Sequence, residues 1–267
     1  MLWVLIVKEL AKMNENKPFD NRWILKAKFS QLKKMQTMSD QMKGLPHPPC
    51  FKEAKGSSNI IQLPDIDENI LCNNSLFQAI LQRESIRSFS EESISMEELS
   101  FLLWSTQGVR KPSTKPYIFF RTVPSAGCRH AFETYIAAHH IDGLKQGVYR
   151  YMPKEHALEH CFEDEVSKSA LKDIALGQDF VGNCAVSFFW SCLPYRMEWR
   201  YHMESVKLIL LDAGHVAQNL MLAAVSIHGG SCAIGAYDQE LADQYLKIDG
   251  EDEFVVYMAA VGKLLNK

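Results

Sequence analysis

Several signatures are missing from this 267-residue chain, and each absence removes a class of function. Its seven cysteines (50, 72, 128, 161, 184, 192, 232) are odd in number and contain no C-x-x-C pair. Neither a disulfide framework nor a zinc site is therefore indicated. Scattered in this way, they predict free thiols in a reducing cytosol, most of them serving as small core residues. Net charge is only −3 and no long basic run occurs, which argues against a nucleic-acid partner. No G-x-G-x-x-G follows a strand-like run and there is no G-x-x-x-x-G-K-[ST], so neither a Rossmann dinucleotide site nor a P-loop is supported. Ser125 lacks the G-x-S-x-G frame of the hydrolase nucleophile. No internal repeat is visible. Met1 to Val7 is apolar, but it has no basic segment before it and is followed at once by Lys8 and Glu9, so it does not read as a signal peptide. Met13 is an alternative start.

What is present begins with length and composition: at 47% hydrophobic and 23% charged, the chain is an ordinary soluble globular sequence able to bury a substantial core. Its longest regular element is Glu204 to His228. Leu208, Leu211, Val216, Leu220 and Ala223 share one helical face, and Ile209, Leu210, Leu222 and Val225 fill the others. A helix apolar nearly all round belongs in a large core or an oligomer interface. Gly229 or Gly230 is expected to close it in the left-handed conformation. Lys207, Asp212, His215, Gln218 and Asn219 interrupt the run, which argues against a membrane span. Asp212, His215 and Asn219 fall on one stripe, the pattern of a polar seam against neighbouring elements.

Elsewhere, Asn21 to Met35 reads as a docking helix with a basic, solvated face. Gly44 to Asp67, with Pro46, Pro48, Pro49, Pro64 and Gly56-Ser57-Ser58, reads as an extended connector wrapping the surface or a second subunit. The domain reading is thus residues 1–66 as docking helix and connector, and 67–267 as the main domain. Leu76 to Leu81 is a short helix capped by Asn74 or Ser75. Ser95-Met96-Glu97-Glu98 is a capping box opening a helix that ends at Gly108. Ile118–Val123, Phe132–Ile141, Gly147–Tyr151, Cys184–Ser191 and Phe254–Val261 are strand-like, and Lys168–Leu176 is helical. This order of elements fits α+β rather than strict βαβ alternation.

Three groups of residues carry possible chemistry. Arg83 and Arg87, flanking Ser85, have the forked donors that grip a phosphate, and Lys263 after Gly262 offers a third charge. Pro124-Ser125-Ala126-Gly127 is a small-residue turn that gives a flat wall for a planar ring, and equally a plain structural turn. Cys128 follows it as a core or site-lining thiol.

Arg83-Glu84-Ser85-Ile86-Arg87-Ser88-Phe89 resembles the R-x-S-x-R-x-F signature of the nitroreductase superfamily of FMN enzymes. More closely, the chain is similar to the SagB-type dehydrogenases, which oxidise thiazoline and oxazoline rings in ribosomal peptides. The shared pieces are Ser39-Asp40-Gln41 with Gly44-Leu45-Pro46, then Pro124–Gly127 with Arg129-His130. They continue with Asp212 to Leu220, Cys232-Ala233-Ile234-Gly235, and Gly262. The resemblance implies a homodimeric nitroreductase-like α+β fold: a central sheet flanked by helices, the long helix in the interface, and FMN at the subunit boundary. It assigns Arg83, Glu84, Ser85 and Arg87 to the phosphate, ribityl and pyrimidine side, and Pro124, Ser125, Ala126, Gly127 and Arg129 to a wall supplied by the other subunit. The backbone at Ile234 and Gly235 would face flavin N5, with Gly262 and Lys263 toward the phosphate. Azoline-oxidising relatives carry a Lys-Tyr pair before the long helix; here the matching place is Arg200-Tyr201. Arginine does not deprotonate, which leaves Tyr201 as the acid–base candidate, or as a packing residue, and Arg200 as an orienting charge. The function implied is hydride transfer between flavin and a small-molecule or peptide substrate in the cytoplasm. The alternatives are an NAD(P)H-dependent nitro or quinone reductase of the same fold, and a non-catalytic flavin-binding partner subunit.

Overall fold

The computed structural model describes residues 22–30, 39–54, 56, 59–115, 117–163 and 167–265. The chain divides into a unit Met1–Thr37 and a unit Met38–Lys267. In the first, Arg22–Leu25 forms a 3-10 turn; most of the expected docking helix, and the apolar start Met1 to Val7, lie outside the described residues. The larger unit begins at Met38, so it includes the connector.

The centre of that unit is a seven-stranded sheet in which every pairing is antiparallel. Its strands are β1 (Ile60–Gln62), β4 (Phe132–Ala138), β5 (Gly147–Met152), β6 (Ala157–Phe162), β7 (Val186–Cys192), β8 (Gly229–Ile234) and β9 (Phe254–Lys263), in the order β1-β6-β5-β4-β7-β9-β8. A separate hairpin joins β2 (Val109–Pro112) to β3 (Phe119–Arg121). The helices are α1 (Leu76–Gln82), α2 (Met96–Gln107), α3 (Ser167–Ile174), α4 (Tyr195–Tyr201), α5 (Ser205–Ser226) and α6 (Gln239–Leu246).

Alternation along the central strands explains why the sheet is covered on both faces. Val186, Phe188 and Trp190 of β7 join Leu99, Leu103, Val216 and Leu220 of α2 and α5 in one core. Phe189 of the same strand joins Leu171, Ile174, Ala242 and Leu246 of α3 and α6 in a second. The architecture is the expected one, an α+β sheet flanked by helices with the long helix packed across it.

Several local expectations are corrected. The long helix α5 begins at Ser205, capped by Glu204 as expected, after α4 ends at His202 with φ 50 and a 3-10 turn follows. It is closed not by glycine but by His228 at φ 54. Gly229 and Gly230 instead open β8. By length and composition the run Tyr195–Ser226 could cross a bilayer, but α5 buries Ile209, Asp212, Ala213, Val216, Ala217, Leu220, Ala223 and Ala224 within the protein. Only Cys184, Cys192 and Cys232 are buried; Cys72 and Cys161 are exposed. The strand β9 runs through Gly262 and Lys263 rather than ending before them.

Candidate functional site

The Arg83–Phe89 segment lies against the outer edge of the sheet. Ser85 bridges Ser231 of β8, and the Ile86 amide donates to the Ser231 carbonyl at 2.9 Å. Two glycines make this seat possible. Gly230 and Gly262 face each other across β8 and β9. A Cβ on Gly230 would stand 2.6 Å from Ile86, and one on Gly262 would stand 2.9 Å from Phe89. Ile86 and Phe89 thus pack into the flat patch that the glycine pair leaves, while Ser85 and Arg87 stay exposed and Arg83 half-buried. Among the described residues neither guanidinium has a carboxylate partner. Glu84 is exposed beside them.

Three residues beyond Ser231, about 10 Å along an extended strand, β8 ends at buried Ile234 and exposed Gly235. A Cβ on Gly235 would meet nothing nearer than Tyr257 at 4.0 Å. Two unneutralised guanidiniums beside approachable backbone form a donor set that suits a phosphate monoester carried on a flat ring. Lys263 differs from the two arginines. Its ammonium is buried, donating to Glu98 at 2.5 Å and to the Ile227 carbonyl at 2.9 Å, so its charge is already matched.

The second group gathers toward the other end of α5. Gly127 sits at φ 58, followed by Cys128 at φ 55. A Cβ there would lie 2.6 Å from the Tyr201 hydroxyl and 3.0 Å from Arg200. The turn Pro124–Gly127 therefore meets Tyr201 and Arg200 within one chain, and glycine is required by both its φ and that contact. Asp212 Oδ1 accepts from the Ala126 amide at 3.3 Å, and burial pushes its carboxyl above the usual range. The Ser125 hydroxyl accepts from the His130 amide at 2.9 Å. Of the expected polar seam, Asp212 and Asn219 serve as such, the latter donating to the Ser105 carbonyl at 2.9 Å; His215 is exposed.

Arg129 is buried, donating to the carbonyls of Gly127 and Tyr117, and its guanidinium lies 5.3 Å from the Trp199 ring. The Arg200 guanidinium lies 5.5 Å from the Tyr201 ring. Tyr201 is half-buried and Arg200 exposed. The His47 ring lies 4.8 Å from Tyr117 and 6.3 Å from Trp199.

Sequence reading missed what fixes this wall. Glu133 lies buried between Arg196, at 2.6 Å, and Arg150, at 3.2 Å. Arg150 also pairs with Glu159 at 2.7 Å. These buried arginines reach the connector: Arg196 donates to the Pro49 carbonyl, Arg121 to Cys50, and Arg150 to Lys52 and Glu53. Burial pushes the Arg121 pKa down to about 10, which keeps it charged at neutral pH. The connector is thereby laced to its own chain. A visible signal was the charge of Glu133 and Arg150 inside otherwise apolar strand runs.

Asp212 and Ile227, which mark the two corners, are about 22 Å apart along α5 at ~1.5 Å per residue. One chain thus brings Arg83, Ser85, Arg87, Ile234 and Gly235 to one corner, and Pro124–Gly127, Arg129, Arg200 and Tyr201 to another.

A family model for the nitroreductase family matches residues 80–263, spanning both groups. The chain belongs to the nitroreductase family. It is 31% identical over 212 residues to a protein of Methanocaldococcus jannaschii described as a nitroreductase, covering 79% of this chain and all of that one. A crystal structure described as a nitroreductase of Ralstonia eutropha is 25% identical with a TM-score of 0.64, over 84% of this chain and 100% of that one. The E. coli microcin synthetase McbBCD complex with truncated pro-MccB17 bound shares the fold at 16% identity and a TM-score of 0.61, over 98% of this chain and 93% of that one.

Proposed function

We propose that this nitroreductase-family oxidoreductase is FMN-dependent and SagB-type dehydrogenase-like, moving a hydride between flavin N5 and a small organic or peptide substrate. The observation that carries the proposal is the pair of unneutralised guanidiniums, Arg83 and Arg87, held beside Ser85 by Ile86 and Phe89 on the Gly230–Gly262 patch. Permanent cations kept in place without a protein counter-charge suit a dianionic phosphate. FMN, when bound, supplies two-electron chemistry at N5.

In this reading Arg83 and Arg87 bind the phosphate and pyrimidine side, with Glu84 and Ser85 on the ribityl chain. The backbone of Ile234 and Gly235 lines the N5 side. Gly262 keeps Phe89 seated, and Lys263 reaches the phosphate only by sharing its proton donors with Glu98. Pro124, Ser125, Ala126 and Gly127, fixed by Arg129 and Asp212, cover the ring from a second copy, because the two corners are so far apart within one chain. Tyr201, against Gly127, moves the proton, and Arg200 orients the substrate while staying charged. The protein then works as a homodimer, and its free thiols suit the cytoplasm.

The McbBCD complex, holding a truncated pro-peptide, supports a peptide substrate only through likeness of fold. Arg200, in place of the lysine of azoline-oxidising relatives, favours instead a reductase of the same fold fed by NAD(P)H. The presence of Arg83 and Arg87 argues against a non-catalytic partner subunit. The test is direct. The protein is purified, heated, and the released cofactor identified by chromatography. FMN at one per chain is expected; stoichiometric FAD, or a colourless protein that does not take up added FMN, overturns the proposal.

A further inference from the structure

The arginines on this side of the molecule differ in what their donors meet. Arg121, Arg129, Arg150 and Arg196 are buried, and each spends its donors on acceptors of the protein. Arg200 does not belong with them. It is exposed, and among the described residues it has no carboxylate partner. Such a side chain is ordinarily solvated and free to turn, but this one is packed. Its Cδ and Nε lie 3.0 Å from where a Cβ on Gly127 would stand, and its guanidinium lies 5.5 Å from the Tyr201 ring. The side chain that Gly127 lacks is therefore what makes room for the Arg200 stem.

The charges around Arg200 leave it unneutralised. One turn earlier on α4, Arg196 is bound to Glu133. Glu198 lies roughly 200° round a helix of ~3.6 residues per turn, and lines a cleft with Pro194 and Leu210 instead. Across the turn, Arg129 adds a like charge. Its pKa is held below the usual range by burial first, and Arg200 is among the neighbours that lower it further. The acid that touches the turn, Asp212, is buried and accepts from the Ala126 amide, and burial pushes its carboxyl toward the neutral form. This corner therefore presents one fixed, outward-facing cation.

We propose that the substrate handled beside Gly127 and Tyr201 is an organic acid, and that Arg200 holds it by its carboxylate. The proposal deepens the flavin-dependent reading above and rests on it. A planar guanidinium offers parallel donors spaced for the two oxygens of a carboxylate. A stem already fixed against Gly127 has less freedom to lose when the acid binds. One fork suits a monoanion, whereas a dianionic phosphate suits the pair Arg83 and Arg87 at the other corner. Arginine keeps its proton, so this position recognises and does not abstract. Tyr201, the next residue, then stands close to the bound carboxylate. The reacting atom of the substrate accordingly lies near its acid group rather than far along a chain.

The experiment titrates para-nitrobenzoate and para-nitrobenzamide, near-isosteres that differ in charge, into the full chain loaded with FMN. Heat and flavin absorbance report binding, and circular dichroism reports fold. The wild type should bind the acid at least about tenfold more tightly than the amide, the scale of one charge-assisted hydrogen-bonded pair. In Arg200→Gln the two ligands should bind within about twofold of each other. Arg200→Lys, which keeps the charge and loses the fork, should fall between. Arg110→Gln removes another exposed guanidinium, on the β2–β3 hairpin, and should keep the wild-type preference. A wild type that does not prefer the acid overturns the proposal, as does a preference that survives in Arg200→Gln. Equal loss in Arg110→Gln traces the preference to the overall field and overturns the assignment to Arg200. Displacement of the acid by an equal concentration of inorganic phosphate makes this a general anion site and overturns the carboxylate. A protein that takes up no FMN fails at an earlier step, and the flavin-dependent reading falls together with this one.

Discussion

Around the N-terminal half of α5, charge is closed in on itself: Glu133 is held between Arg150 and Arg196, and the arginines spend their remaining donors on connector carbonyls. At the C-terminal end, Arg83 and Arg87 stand at a sheet edge with no carboxylate partner among the described residues. The first region is polar but finished. The second is less buried and unfinished, its cations held only by the packing of Ile86 and Phe89 on glycine. Burial of charge therefore marks the scaffold here, and in the proposed reading exposed, unpaired charge marks the place for the ligand.

The contrast can be broken most severely from the finished side. Glu133→Ala leaves Arg150 and Arg196 buried with one fewer counter-charge, and stability should fall by about 3–5 kcal/mol. Urea unfolding measures it, and a loss below 1 kcal/mol would show that the network is not holding the scaffold. Beside the Gly127 turn, Tyr201→Phe should slow single-turnover flavin reduction by a cognate substrate ~10²-fold. FMN binding should be unchanged; equal rates in the two proteins would assign Tyr201 to packing. Arg87→Ala should weaken FMN binding by roughly 1.5–3 kcal/mol with little effect on unfolding of the apoprotein. An effect on unfolding as large as that of Glu133→Ala would erase the distinction between the two regions.

The smallest effect is in pH. Burial holds the His130 imidazole well below its ordinary 6.5. The folded protein stays unprotonated there while the unfolded chain takes up a proton, so stability is lost as pH falls below that value. The slope is at most about 1.4 kcal/mol per pH unit for one proton. In His130→Gln this component should vanish from stability measured between pH ~6.5 and ~5; an unchanged slope would mean that His130 titrates normally. Glu133, whose ion pairs with Arg196 and Arg150 outweigh burial and depress its pKa below 4.5, withdraws its stabilisation only at lower pH.

How much of this was legible depended on the range of the interactions involved. The helix α5 was readable because its apolar residues fill every face, and the capping box of α2 because its partners lie three residues apart. The seven-residue arginine motif was readable for the same reason. The edge strand β1 was hidden in a proline- and glycine-rich stretch, and β6 mixes Glu159 and His160 into its pattern. The end of α5 was misassigned because glycine is the usual left-handed residue, whereas here His228 takes that conformation, both Gly229 and Gly230 lie in β8, and Gly230 serves close packing against Ile86. The Glu133 network was signalled only by Glu133 and Arg150 standing in apolar strand runs; their pairing stayed hidden because the members of the network come from different strands and helices and meet only once the sheet has formed.

The corner at Lys263 has an electrostatic consequence. Glu98 divides its two oxygens, one accepting from the Ser95 amide that begins α2 and the other pairing with Lys263. Lys263 in turn donates to the Ile227 carbonyl, at the end of α5. The positive pole of one helix dipole and the negative pole of another are thus joined through a single ion pair. This corner contributes almost no net field. In the proposed reading, the cations that draw an anion to the edge of β8 are then Arg83 and Arg87, and the attenuation of that attraction by salt follows two charges rather than three.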